Sequence, residues 1–135
     1  MHEIIWTKDQ ISEELFAPVR SEKQFSVNLT LFCESQNFNT YLNRKVVIAA
    51  NGEIKNAPNS KIEFGNYNSA GLSAIVNTKE FQSLWHVKKD DIEVCKECEY
   101  RHMCLDNRIP VKKEDKWIHE TNCLYDVYTG RWNTN

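Results

Sequence analysis

Four of the five cysteines in this 135-residue chain fall between positions 95 and 123. Cys95 and Cys98 are two residues apart, Cys104 follows after five more, and Cys123 stands nineteen positions further on. A Cys-x2-Cys spacing lets both sulfurs leave one tight turn toward a common point. A third thiol five residues on joins them once a helical turn or short loop folds back. Thiolates converge in this way on soft or borderline metals, zinc and iron–sulfur clusters above all. The spacing predicts one metal site built from Cys95, Cys98, Cys104 and Cys123, with no catalytic residue assigned.

The rest of the chain is that of an ordinary globular domain. Its length suffices for a core without help from a metal, and 41% hydrophobic residues is a globular value. A formal charge of −2 gives no basic footprint for nucleic acid. No apolar run reaches membrane-spanning length, and the N-terminus lacks a signal-peptide pattern. The expectation is a cytoplasmic chain with reduced thiols, no nucleic-acid partner and no membrane partner. An odd cysteine count fits a four-sulfur site plus one free thiol better than a disulfide framework.

Element signals are short. Ile4–Trp6 read as a strand, and Thr7 or Asp9 as the cap of a helix carrying Ile11, Leu15 and Phe16 up to Pro18. Phe25, Val27, Leu29, Leu31 and Cys33 alternate with polar residues, which predicts a half-buried strand with Cys33 on its apolar side. Residues 34–45 read as a loop. Asn51-Gly52 between Val46–Ala50 and Glu53–Asn56 predicts a hairpin with a two-residue turn. Ile62, Phe64 and Tyr67 are expected to tuck under that sheet. Residues 71–86 read as one amphipathic helix or a short helix and a longer one, with Thr78 a candidate N-cap. Residues 112–116 read as a solvated loop, and Thr129-Gly130 as a turn among aromatics. His102 and His119 are expected at the surface, while Arg101, Arg108, Lys112 and Lys113 flank the thiols as candidate counter-charges.

Spacing alone leaves the metal open between iron–sulfur and zinc. A single knuckle, a third cysteine and a distant fourth are irregular for a two-knuckle zinc site, and a cluster spreads its ligands more widely than one ion. A redox Cys-x2-Cys should follow a strand and open a helix in a βαβ unit, whereas an acidic segment precedes this one. No phosphate loop, nucleophile elbow or zinc-protease helix is present.

The cysteine pattern resembles the SPASM domain, the C-terminal extension of radical SAM enzymes that mature peptides and proteins. The family pattern is Gly-x4-Cys, then Cys-x2-Cys-x5-Cys-x3-Cys, then a final cysteine, and it holds two auxiliary 4Fe–4S clusters. Here the first motif reads Gly52-x4-Ala57, the central run reads Cys95-x2-Cys98-x5-Cys104-x2-Asn107 with Arg108 rather than a cysteine at the x3 position, and Cys123 matches the last position. The resemblance implies that Cys95, Cys98, Cys104 and Cys123 keep one 4Fe–4S site, while Ala57 and the lack of a cysteine at Asn107–Arg108 delete ligands of the other. Zinc at the same cysteines is the alternative.

The wording around these positions is similar to the SPASM-containing maturase of grasp-with-spasm systems, which modify ribosomal peptides. That implies a precursor peptide and an ATP-grasp ligase as partners. The motif of the SAM-cleaving cluster is missing from the chain, so whether it is an enzyme is left open and an accessory role is expected. The expected fold class is α+β, a small antiparallel hairpin sheet with one or two helices and a C-terminal cysteine-rich loop region. Residues 1–33 are expected to form an N-terminal strand/helix segment, a remnant of an upstream domain, and residues 34–135 the metal-binding domain. The alternative function is a zinc-stapled interaction module without a redox role.

Overall fold

Short elements joined by hydrogen-bonded turns carry the fold in a computed structural model, which describes residues 18–133. The expected strand and helix of residues 4–16 lie outside the described residues. Helix α1 spans Leu29–Ser35. The hairpin β1 (Val47–Ile48) and β2 (Ile54–Lys55) is followed by α2 (Leu72–Val76) and α3 (Lys79–Gln82). Two further antiparallel hairpins close the chain, β3 (Val111–Lys113) with β4 (Lys116–Ile118) and β5 (Tyr125–Asp126) with β6 (Arg131–Trp132). The class is α+β, as expected.

The 25–33 segment corrects the alternation reading. Asn28 is extended and its side chain accepts a hydrogen bond from the Leu31 amide at 2.7 Å, so an N-cap starts α1 where a strand was expected. Leu31 is buried, whereas Leu29 is 76% exposed and Cys33 is also exposed. A run of alternating residues satisfies either period over so few positions, and the cap decides between them.

The first hairpin forms with Val47 opposite Lys55 and Ile48 opposite Ile54. Its turn is a three-residue loop, Ala50–Gly52, instead of the expected two-residue one. The Ala49 amide donates to the Glu53 carbonyl at 2.9 Å, and the Gly52 amide to the Ala49 carbonyl at 2.8 Å. Only Gly52 adopts positive φ, at 85°, because Asn51 spends its side chain on the Glu53 amide at 3.1 Å. The outer edge of β2 is covered, since the Ile54 amide donates to the Gly65 carbonyl and the Phe64 amide to the Ile54 carbonyl, each at 2.9 Å.

Thr78 caps α3 as expected, accepting from the Phe81 amide at 3.2 Å. Buried Phe81 then packs edge-on against Phe64 and Trp85, at 4.9 and 5.8 Å between ring centres. Together with Ile54 and Ile75 it forms one apolar cluster. Leu42, Ala57, Leu84, Val87 and Ile92 form a second, and Cys95 and Trp117 lie against it. Of the three residues expected beneath the sheet only Phe64 joins the core; Ile62 and Tyr67 are exposed. Residues 112–116 are not a loop: they pair as β3 and β4, with Glu114 turning at φ 53°.

Candidate metal centre

The thiol segment is anchored to the second apolar cluster from both ends. Ile92 is fully buried, and the Glu93 amide donates to the Trp117 carbonyl at 2.8 Å, tying the approach to β4. Val94 then turns at φ 69°, a conformation β-branched residues rarely adopt. The turn is fixed by the Lys96 amide on the Ile92 carbonyl at 3.0 Å and leads into a single 3-10 turn over Cys95–Glu97. The Cys98 amide closes that turn on the Cys95 carbonyl at 3.0 Å. Thr40 fixes the next stretch through its hydroxyl, which donates to the Cys104 carbonyl at 2.8 Å. Cys123 is placed by β5, whose Tyr125 amide donates to the Cys123 sulfur at 3.4 Å. Tyr125 is held in turn by Glu99, at 2.6 Å from its hydroxyl, and by Tyr100 and Trp132, both with ring centres at 5.0 Å.

Cys95, Cys98, Cys104 and Cys123 all line one cavity of about 240 Å³. They surround a space and do not meet at a point. Among the described residues, no group of three or more His, Cys, Asp or Glu side chains is close enough to hold a single metal ion. Tetrahedral zinc draws its thiolates to about 2.3 Å from the metal, and these four sulfurs are not drawn together in that way. Cys33 is exposed on α1 and does not line the cavity. Ala57 is fully buried in the apolar cluster, and the Asn107 carbonyl accepts from Asn59 at 2.9 Å; neither residue lines the cavity.

The cavity wall carries Lys89, which the sequence did not single out, beside Arg108, which it did. Lys89 is buried, with its ammonium 2.9 Å from Asp106 Oδ2 and 3.2 Å from His119 Nε2. Arg108 reaches Asp106 from the other side, with Nη2 2.7 Å from Oδ2, and donates through Nη1 to the Thr121 carbonyl at 2.6 Å. His119, expected at the surface, has a side chain only 4% exposed. His102 is also drawn inward, its Nδ1 lying 3.2 Å from Ser35 Oγ. Arg101 lines the cavity but is paired with Asp90 at 2.8 Å, while Lys112 and Lys113 point into solvent on β3. Nothing in the one-dimensional pattern separates Lys89 from its neighbour Lys88; only the turn after Val87 sends one inward.

Burial pushes the Cys104 thiol up to about 11, against the pull of Lys89. It also raises Cys95, against Lys89 and Arg108, and Cys98. Thiols raised in this way are not the activated nucleophiles of an oxidoreductase, which need depressed values. Burial pulls Lys89 down, but Asp106 and the Cys104 and Cys95 sulfurs outweigh it and hold the ammonium above its ordinary value. Burial likewise favours a protonated Asp106, and Lys89 and Arg108 reverse this, keeping its carboxyl well below the usual range. His119 is driven down to about 3 by burial and then by Lys89 and Arg108, so its ring is neutral.

Fold and site together define a small α+β domain in which four cysteines line one cavity with cations in its wall. Residues 40–99 match the model of the SPASM family, described as an iron-sulfur cluster-binding domain. The match includes Cys95 and Cys98, while Cys104 and Cys123 lie beyond it. No curated protein and no solved structure matches the chain. Among the described residues no helix is long and apolar enough to cross a membrane.

Proposed function

We propose that the chain is a single-cluster SPASM-type accessory domain of a ribosomal peptide-maturation system. Cys95, Cys98, Cys104 and Cys123 would hold one 4Fe–4S cluster. The observation that carries this reading is the shared cavity: four soft donors line one space without converging as a single-ion site among the described residues. When bound, such a cluster supplies electron transfer or a structural cross-link. The chain's own contribution is to fix the thiols through the Val94 turn, the Thr40 bond and β5, and to surround them with buried cations. Zinc is disfavoured by the same lack of convergence.

The expected test is anaerobic reconstitution with iron and sulfide. About four irons and four sulfides per chain with broad visible absorption support the reading; a protein that takes up zinc and no iron contradicts it.

Support of the precursor peptide would use the outer edge of β1, which pairs with no strand among the described residues. In an antiparallel pair hydrogen-bonded and non-bonded positions alternate, and Ala49 bonds inward to Glu53, so the backbone of Ile48 faces away from β2. Val46 and Ile48 are both more than 40% exposed, as an edge open to strand addition requires. Ile48→Pro removes the outward amide without touching the hairpin's own bonds, and it should abolish binding of the precursor. Binding that survives this change sinks the edge reading. An ATP-grasp ligase is the enzyme partner this reading includes, checked by co-purification of the ligase with the full chain.

A further inference from the structure

The buried charges of the thiol-cavity wall do not cancel; Glu99, which holds Tyr125, is exposed to solvent. Arg101 is matched by Asp90 at 2.8 Å, and Glu93 by Lys96 at 2.9 Å. Lys89, Asp106 and Arg108 are left as two cations around one carboxylate, with His119 uncharged beside them. Lys89 and Asp106 side chains are 5% and 4% exposed and Arg108 is 14% exposed, so water and salt screen this single positive charge weakly. Of the three ammonium donors of Lys89, Asp106 and His119 accept two. Among the described residues one donor is therefore left over on a side chain that lines the thiol cavity. Buried ion pairs add little stability over an apolar replacement of the same size, so their placement in this wall calls for a reason other than folding.

We propose that the buried Lys89–Asp106–Arg108 group is the fixed counter-charge of the thiolate site and sets the reduction potential of the cluster held there. The inference rests on the cluster reading given above. In the one-electron couple, an electron from an external low-potential reductant such as dithionite enters the loaded site. No bond forms or breaks and no proton moves. The site gains one negative charge, and the net positive charge of the wall stabilises it in that state.

The test is a potentiometric titration of the anaerobically loaded protein, followed by electron paramagnetic resonance, with iron content measured on each sample. Lys89→Met removes a positive charge and should disfavour reduction about ten-fold, a fall of about 59 mV for one electron. Asp106→Asn removes a negative charge and should shift the potential upward. Lys89→Arg should leave it near the starting value. Arg108→Gln carries the same downward expectation as Lys89→Met at a less buried position, and it keeps the test decisive if Lys89→Met does not load. A purely structural role predicts lower iron content in both charge variants, with no opposed shifts. Fully loaded variants whose potentials do not move, or move in the same direction, overturn the inference alone. Unchanged protein that takes up no iron overturns the cluster reading and the inference with it.

Discussion

His119 turns the charged wall into a measurable dependence of stability on pH. In the folded chain its ring stays neutral down to about pH 3, whereas an unfolded histidine protonates near pH 6.5. As pH falls below about 6.5, the unfolded chain takes up a proton that the folded chain refuses, so unfolding becomes easier. The loss continues until the folded ring itself protonates near pH 3. Between pH 7 and pH 5 the linkage relation gives a loss of about 2 kcal/mol from this residue. Because pH 5 lies well above the folded value, the slope is set by the unfolded chain. The side chain is only 4% exposed, so solvent does not dilute the effect. Its facing charges, Lys89, Arg108 and Asp106, do not change state in this range. His119→Gln retains an acceptor for Lys89 and removes the titration. Urea unfolding of the reduced, metal-free protein at pH 7, 6 and 5 should show the variant losing about 2 kcal/mol less than the unchanged chain. Equal losses, or a His119 ring resonance that titrates near pH 6.5, would refute the reasoning.

Three further substitutions test the framework around the site by urea unfolding. Phe81→Ala empties the centre of the Phe64–Phe81–Trp85 stack and should cost about 3 to 5 kcal/mol. Asn39→Ala removes the bond to the Val87 carbonyl and the acceptor for the Tyr41 and Leu42 amides, at 2.9, 3.0 and 3.0 Å; the loss should be about 2 to 3 kcal/mol. Val94→Gly releases the positive-φ strain before Cys95 at a position 47% exposed. It should stabilise the fold by about 1 kcal/mol, after the extra backbone entropy of glycine is counted. A destabilised Val94→Gly variant would mean that the side chain contributes packing which outweighs its strain.

The legible parts of the sequence were those fixed by local chemistry. Asn51-Gly52 marked a hairpin because glycine is needed at positive φ, although the side chain of Asn51 bonded to Glu53 and lengthened the turn by one residue. Thr78 marked its helix because a hydroxyl can satisfy the free amide of Phe81. The four clustered cysteines were expected to form one metal site, and the structure brings all four to one cavity. The misses came where tertiary contacts outvoted pattern. Phe25–Cys33 alternates like a strand, yet the Asn28 cap and burial of Leu31 make its second half helical. His119 sits in a charged stretch of sequence, yet β4 delivers it beside Lys89 and Asp106. A buried lysine has no periodic signature, so Lys89 became visible only in three dimensions, whereas Arg101 and Arg108 line the cavity near the thiols as their sequence positions suggested.

The central claim is that Cys95, Cys98, Cys104 and Cys123 act as one ligand set and Cys33 does not. Iron and sulfide content of five single Cys→Ala variants, each reconstituted anaerobically beside the unchanged chain, tests it most directly. Cys33→Ala should retain about four irons per chain, and each of the other four should lose most of the cluster or hold a smaller, labile one. Full iron content in any of those four variants, or loss of iron in Cys33→Ala, would contradict it.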